Sequence, residues 1–344
     1  YPNNQQQELL AHWGLRGQGL DVKIFTPKEY YDKYKEEGRP TDFPFSIAPW
    51  ELDSEDWITA FEQERYSAEG VYISDIVSLI RKKYKKYSLQ DMIKYIDSDA
   101  ETDHNLKNAV RKMFENADGW GLFSEESTEL KQLAIGGAVS VLDVSCYAAT
   151  AGGWATKAFV VGLVCKRLFL QRMVARGEEE FASLKGVQQF IPSEKTKAEG
   201  TPLVWLVVDE GHEFLPATGS TAASQPLITI LREGRQPGIS LIIATQQPGK
   251  IHTDVMTQSD IILSHRITAK LDTDALSMLM QSYMRQGLDK QLNNLPRSKG
   301  AALVIDDANE RIFTMQIRPR FTWHGGSSPT AIREEGEEKS LVDF

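Results

Sequence analysis

The chain has 344 residues, of which 41% are hydrophobic and 25% charged, with a net charge of −9. This is enough material for a sizeable core, and it excludes a surface given over wholly to nucleic acid, though not a local basic site. Two cysteines, Cys146 and Cys165, exclude a disulfide framework and a paired redox motif. The opening residues lack the basic and apolar regions of a signal peptide, and the apolar stretch 158–170 is interrupted by Lys166 and Arg167. A soluble cytoplasmic protein with no membrane partner is therefore expected. The first residue is Tyr1 rather than Met, which predicts a piece of a longer polypeptide.

In chain order, residues 22–26 read as a short strand ending at Pro27. Residues 28–42 read as a charged loop with a helical turn at 29–34, and the Pro-punctuated run 43–49 as extended chain. From 52 to 117 the apolar positions recur at helical spacing, giving three predicted helices. One carries Ile73, Ile76, Val77 and Ile80; one starts at Ser88 and carries Met92, Ile93 and Ile96; one carries Val110, Met113 and Phe114. Residues 137–145 predict a strand, 154–180 a long helix that is apolar first and basic later, and 185–200 a polar loop. Lys166, Arg167, Arg172 and Arg176 on that helix are candidates for a nucleic-acid channel or for plain surface.

The run 203–208 is apolar throughout and leads straight into Asp209 and Glu210. So short a run, bounded by Pro202 and Gly211, predicts a strand buried on both faces. Carboxylates at its C-terminal end stand where open α/β sheets bind ligands. In phosphate-transferring ATPases such a pair divides the work, one acid holding the shell of Mg2+ and the next orienting the attacking water. A helix at 222–233 follows, then strands at 239–244 and 260–265, helices at 273–280 and 284–293, and two closing strands at 301–306 and 311–317 joined by a turn. Strands alternating with helices predict an α/β protein with a mainly parallel, doubly wound sheet. The residues from 333 to the end carry a net −3 and read as a disordered tail.

Two further elements sharpen the acid pair. Arg232 and Arg235 follow on the next helix, and the strand 239–244 ends in Thr245 and Gln246 at the same sheet edge. A glutamine there can hydrogen-bond a γ-phosphate or the attacking water, and an arginine arriving from a neighbouring subunit can stabilise the charge on the transferred phosphoryl. The order VVDEGHEFLP, LREGRQPGISLIIATQQP and DIILSHRITAKLD closely resembles the HerA-type ATPases of the FtsK–HerA branch of P-loop motors. VKIFTP, PFSIAPWELDSEDW, GGAVSVLDVS and RPRFTWHGGSSP fit the same family in the same order.

The resemblance implies a RecA-like core with an inserted helical subdomain, a hexameric ring, and ATP-driven translocation of double-stranded DNA. It also implies a partnership with a NurA-like nuclease in archaeal DNA-end processing. The core then spans 1–51 and 119–320, the insertion 52–118, and a C-terminal extension 321–344. Carried onto this sequence, Asp209 is the Mg2+ carboxylate, acting through water, and Glu210 the catalytic base. Gln246 is the sensor, beside Thr245, and Arg235 the finger acting in trans. Arg232 and Arg266 are weaker candidates for contact with ATP.

The departure is the phosphate loop: the 344 residues contain no G-x-x-x-x-G-K-[ST]. Gly249-Lys250 is followed by Ile251, and the run from Gly152 to Lys157 has the residue types in the wrong order. The family places that loop and its strand upstream, so this chain reads as the C-terminal part of a motor, inactive alone and short of a central strand. Arg81, Lys82, Lys83, Lys85 and Lys86 form a basic run suited to DNA phosphates, or simply the solvated end of a helix. Two alternatives stay open: a conjugation or packaging DNA pump, and a non-catalytic assembly or docking subunit derived from such an ATPase.

Overall fold

A computed structural model describes residues 1–150, 152–189, 201–278, 291–292 and 294–323. The helix expected at 284–293 and the acidic tail lie almost wholly outside these residues, as does most of the loop expected at 185–200. After a short helix α1 (Gln7–His12), strand β1 (Val22–Pro27) runs into α2 (Lys28–Glu36). This nine-residue helix replaces most of the expected loop. Glu29 in its first turn and Lys33 and Lys35 in its last suit the helix dipole, and its Tyr34 is buried.

Strand β2 (Phe43–Phe45) is followed by four helices, α3 (Ser54–Ala60), α4 (Ala68–Lys83), α5 (Leu89–Ser98) and α6 (His104–Asp118). Each begins on a side chain that accepts from its first turn: Asp53, Ser67, Ser88 and Asp103. At α3 and α5 the cap is reciprocal, Asp56 and Asp91 reaching back to the backbone of Asp53 and Ser88. The helical stripes close over one core in which Trp57, Ile73, Ile76, Ile80, Met92, Ile96 and Phe114 are fully or almost fully buried. Phe25 of β1, Phe45 of β2 and Phe159, Val160 and Leu163 join the same core.

A short turn of helix α7 (Leu130–Leu133) precedes β3 (Val139–Leu142), and the long α8 (Gly153–Gln189) follows. This helix is the spine of the molecule. Its Phe159, Val160 and Leu163 face the first core, while Ala158, Cys165 and Leu168 face a second core built on β4 (Val204–Val208), α9 (Ser224–Glu233) and β5 (Ile239–Ile243). Gly162 lets α8 and the start of α9 meet, since a Cβ there would stand 2.4 Å from the Ala222 carbonyl oxygen. Burial pushes the free thiols of Cys146 and Cys165 up to about 12, so neither carries a thiolate near neutrality.

The basic half of α8 is committed to structure. Lys166 Nζ lies 2.7 Å from Asp56 and 3.2 Å from Asp53, and Arg167 lies 2.6 Å from Glu51, which ties α8 to the start of α3. Arg172 is completely buried, donates to the carbonyls of Pro237 and Thr201, and pairs with Glu179. Arg176 pairs with Glu179 and Glu180. These four residues, candidates for a channel from sequence, are held by carboxylates and backbone.

Beyond β5 come α10 (Thr253–Thr257), β6 (Ile261–His265), α11 (Lys270–Met278), β7 (Ala301–Asp306) and β8 (Arg311–Gln316). The β7–β8 turn closes on Asp306, whose carboxylate accepts from the backbone and side chain of Asn309. The described strands stand in three separate sheets: parallel β2-β1-β3, parallel β4-β5, and antiparallel β6-β7-β8. The α/β class with a parallel centre is as the sequence predicts; its continuity is not. Neither β4 nor β5 pairs with any other described strand.

The face of β4–β5 turned away from the core is bare. Register sets Trp205 beside Ser240 and Val207 beside Ile242, and Trp205 and Val207 keep 72% and 63% of their surface exposed. On β6, Ile261 and Leu263 are exposed in the same alternating way. Each large apolar side chain left in water forgoes about 1.5–3 kcal/mol of burial, and patches of this kind mark surfaces that another element covers. The strand at 203–208, read as buried on both faces, is therefore buried on one. In the 344-residue chain, Trp205→Ser should cost less than about 1 kcal/mol of unfolding free energy. Leu227→Ala, at a fully buried position of α9, should cost about 2–5 kcal/mol. Urea denaturation of the two variants checks this, and equal losses would show that the Trp205 face is covered.

Candidate active site

The parallel register ends with Val208 opposite Ile243, so both strands deliver their next residues to one edge. Past the last paired residues the two chains stay joined: Ala244 N–H donates to Val208 O at 2.9 Å and Gly211 N–H to Ala244 O at 2.8 Å. The chain can pass this close only with glycine at 211, where a Cβ would stand 2.2 Å from Ile243 Cγ2. The residue before it makes the turn. Glu210 sits in the left-handed region, φ 48° and ψ 46°, a conformation that costs a residue with a Cβ roughly 1–2 kcal/mol.

That turn aims Glu210 across the strand ends. Its Oε1 accepts from Gln246 Nε2 at 2.5 Å, while its Oε2 is buried with no hydrogen-bond partner, 3.5 Å from His212 Nδ1. Asp209 is exposed, with Oδ1 accepting the Glu210 N–H at 3.0 Å. His212 Nδ1 lies 2.9 Å from Thr245 Oγ1, and Gln247 Nε2 donates to His212 Nε2 at 3.2 Å. With Nε2 accepting, the neutral ring carries its proton on Nδ1, on the side of Thr245 and Glu210. Thr245 Oγ1 in turn accepts the Gln247 N–H at 3.0 Å. Lys157 anchors the turn from below by pairing with Glu213 at 2.8 Å, so it is a structural lysine.

The structure thus brings Asp209, Glu210, Thr245 and Gln246 together, as their sequence positions predict, and adds His212 and Gln247. His212 stood in the sequence only as a member of the run VVDEGHEFLP, with no role of its own. What would have shown its role is Gly211, because the close strand approach it permits folds residue 212 back toward Thr245.

Arg235 is elsewhere. It leaves α9 just before β5 begins, so a strand's length, roughly 17 Å, separates it from Gln246. It is exposed and has no side-chain partner among the described residues, and it lines a hollow of about 690 Å³ with Arg176, Arg232, Glu233 and Gln236. Arg232 is bound to Asp254 on α10 at 2.5 Å, not to Glu233. Arg266 lies past the end of β6 and lines a different cleft. Neither Arg232 nor Arg266 forms an ion pair with Asp209 or Glu210. In the basic run, Arg81, Lys82 and Lys83 form the last turn of α4. Arg81 donates to the Trp50 carbonyl at 3.3 Å and Lys86 stands 5.3 Å from the Trp50 ring centre, while Lys82 and Lys85 point to solvent.

Two adjacent acids and a glutamine thus stand on neighbouring parallel strand ends, in an α/β core with helices about it. No protein-family model matches the chain. It is 31% identical over 160 residues to a probable DNA double-strand break repair helicase HerA of Methanocaldococcus jannaschii, covering 43% of this chain and 30% of that one. It is 27% identical over 105 residues to the DNA double-strand break repair helicase HerA of Pyrococcus furiosus, covering 30% of this chain and 18% of that one. Each match thus spans less than a third of the relative's length. In fold the chain resembles VirB4 of Thermoanaerobacter pseudethanolicus, with a TM-score of 0.53 at 12% identity over 92% of this chain and 85% of that one. Over part of its length the chain is thus similar to HerA helicases.

The strain at position 210 is measurable. Glu210→Ala and Glu210→Gly both remove the bond to Gln246, but only the glycine variant relieves the Cβ. The glycine variant should be the more stable of the two by about 1 kcal/mol in urea denaturation. An alanine variant as stable as the glycine one would show that the turn is unstrained.

Proposed function

We propose that this chain carries the hydrolytic half of an ATP-driven motor that moves along double-stranded DNA as a ring of identical subunits. The observation that carries the reading is the Glu210–Gln246 hydrogen bond, made across adjacent strand ends by a glutamate held in a strained turn. Strain stored in one carboxylate is expected where a reacting group must be aimed. Glu210 is assigned as the base that orients and deprotonates the attacking water. Its buried, unpartnered Oε2 is the free acceptor for that proton. Gln246 holds the other oxygen and reports on the γ-phosphate. His212, through Thr245 and Gln247, fixes the far side of the pair.

Asp209 fits Mg2+: an exposed carboxylate with one oxygen tied to backbone and the other open suits a hard cation held through water. When bound, Mg2+ neutralises charge on the β- and γ-phosphates of ATP. The phosphate loop itself is assigned to polypeptide outside these 344 residues. The edges of β4 and β5 that no other described strand pairs, and the exposed Trp205–Val207 face, support this, since a strand and helix bearing such a loop would pair the one and cover the other. Arg235, exposed and a strand's length from its own Glu210, is assigned to the neighbouring subunit's nucleotide. DNA-end processing with a NurA-like nuclease is the proposed setting, with conjugative or packaging transport as a variant of the same chemistry.

A non-catalytic docking subunit is the second reading, favoured by the absence of a phosphate loop from the sequence. One experiment divides the two. Hydrolysis of ATP is measured for the 344-residue chain and for the protein carrying the polypeptide upstream of it, each with and without Glu210→Gln. The motor reading expects no turnover from the chain alone. It expects turnover from the longer protein, and a loss of roughly 10²–10⁴-fold on Glu210→Gln with ATP still bound. No turnover from the longer protein favours the docking subunit, and unchanged turnover with Glu210→Gln removes Glu210 as the base.

A further inference from the structure

Most cations that meet β4, β5 and α8 are already paired, but three in the β6–β7 region are not. A cleft of about 660 Å³ opens past the end of β6, lined by His265, Arg266 and the loop 296–301. Arg266, Arg297 and Lys299 all project into solvent, and none has a side-chain partner among the described residues. No carboxylate of the described residues lines the cleft. In a chain of net charge −9, three unpaired cations around one hollow form a local positive field.

The cleft is held in shape by its backbone. Leu295, before the loop, is buried in the third core with Leu276, Leu303 and Ile305. After it, Ile317 N–H donates to Gly300 O at 2.8 Å, and Gln316 Nε2 donates to Lys299 O at 2.9 Å. His265 Nδ1 meets Ala301 O at 3.0 Å and fixes the opposite wall. Arg297 and Lys299 are thereby presented two residues apart on a pinned loop, facing the chain that leaves β6 through Arg266.

We propose that this cleft binds the phosphodiester backbone of a nucleic-acid duplex without reading its sequence. Its chemistry favours backbone over nucleotide. The lining has no Phe, Tyr or Trp to stack a base and no enclosed apolar slot, only cations, a serine, a proline, small residues and a histidine whose Nδ1 is tied to Ala301 O. The cleft also adjoins the hydrolytic edge. Four residues after Arg266 the chain enters α11, which packs on the segment 248–250 directly after Gln246 and Gln247, with Gly249 N–H donating to Asp272 Oδ1 at 3.0 Å. A duplex held at the cleft pulls on the element that positions Gln246. This coupling rests on the motor reading; the binding does not.

The test is fluorescence anisotropy of a labelled random-sequence duplex with the 344-residue chain, without nucleotide, across a salt series. The double variant R297A/K299A should weaken binding at least several-fold. It should also lower the slope of log affinity against log salt by about 2, near 0.9 for each phosphate no longer neutralised. R297K/K299R should retain both affinity and slope, which separates charge from a folding defect. K33A/K131A, an equal loss of charge on a remote surface, should change neither. Wild-type affinity and slope in R297A/K299A overturn the proposal. So does undetectable duplex binding by the wild type at low salt, or a loss of labelled-ATP binding in R297A/K299A with duplex binding intact. Binding is read in the absence of hydrolysis, so its failure leaves the Glu210 assignment standing, and the reverse also holds.

Discussion

Everything at the acid edge depends on the parallel ladder between β4 and β5. Five register pairs fix Val208 against Ile243, and from that point each following residue has a determined place. Gly211 can only pass beside Ile243 because it has no Cβ, and passing there forces Glu210 into a left-handed turn. The turn delivers the carboxylate to Gln246, and the glutamine is there because β5 ends where β4 does. A one-residue slip would turn every side chain to the opposite face and separate the pair.

The same ladder stands apart from the other described strands. Two strands with one covered face and two unpaired edges do not make a stable sheet by themselves. Here they are held from behind by α8 and α9, through Cys165, Leu168, Leu227 and Ile230. The other face, with Trp205, Val207 and Ile242, waits for an element that the described residues do not contribute. Fold and site meet at this edge: the described residues bring acids and a glutamine to it, and no further described strand pairs with β4 or β5. Arg235 leaves α9 at the opposite end of β5 from Gln246, exposed and without a side-chain partner among the described residues.

Much of this was legible in the sequence because it depends on local pattern. Three of the insert helices follow from their apolar stripes and, for one, from Ser88 at its cap, whereas the short α3 and the caps at Asp53, Ser67 and Asp103 emerge only in the structure. The acid pair and Gln246 follow from apolar runs ending in polar residues. What was not legible depends on tertiary partners. The roles of Lys166, Arg167 and Arg172 turned on Asp56, Glu51 and the Pro237 carbonyl, which lie far away in sequence. The helix α2 was hidden by its charge, since only Tyr34 is buried along it. His212 and the cleft at Arg297 and Lys299 needed, respectively, a strand crossing and the β6–β7 pairing to bring them into place.

The central claim is that Glu210 and Gln246 act as one unit on the attacking water. A double-mutant cycle on ATP turnover tests it most directly, using Glu210→Gln, Gln246→Ala and the pair together in the protein that the motor reading requires, one that joins these residues to a phosphate loop. If the two act as a unit, the double variant should be little slower than the slower single variant, leaving a coupling of about 0.5–3 kcal/mol. Losses that simply add would contradict this, and would leave the Glu210–Gln246 hydrogen bond a feature of the fold alone.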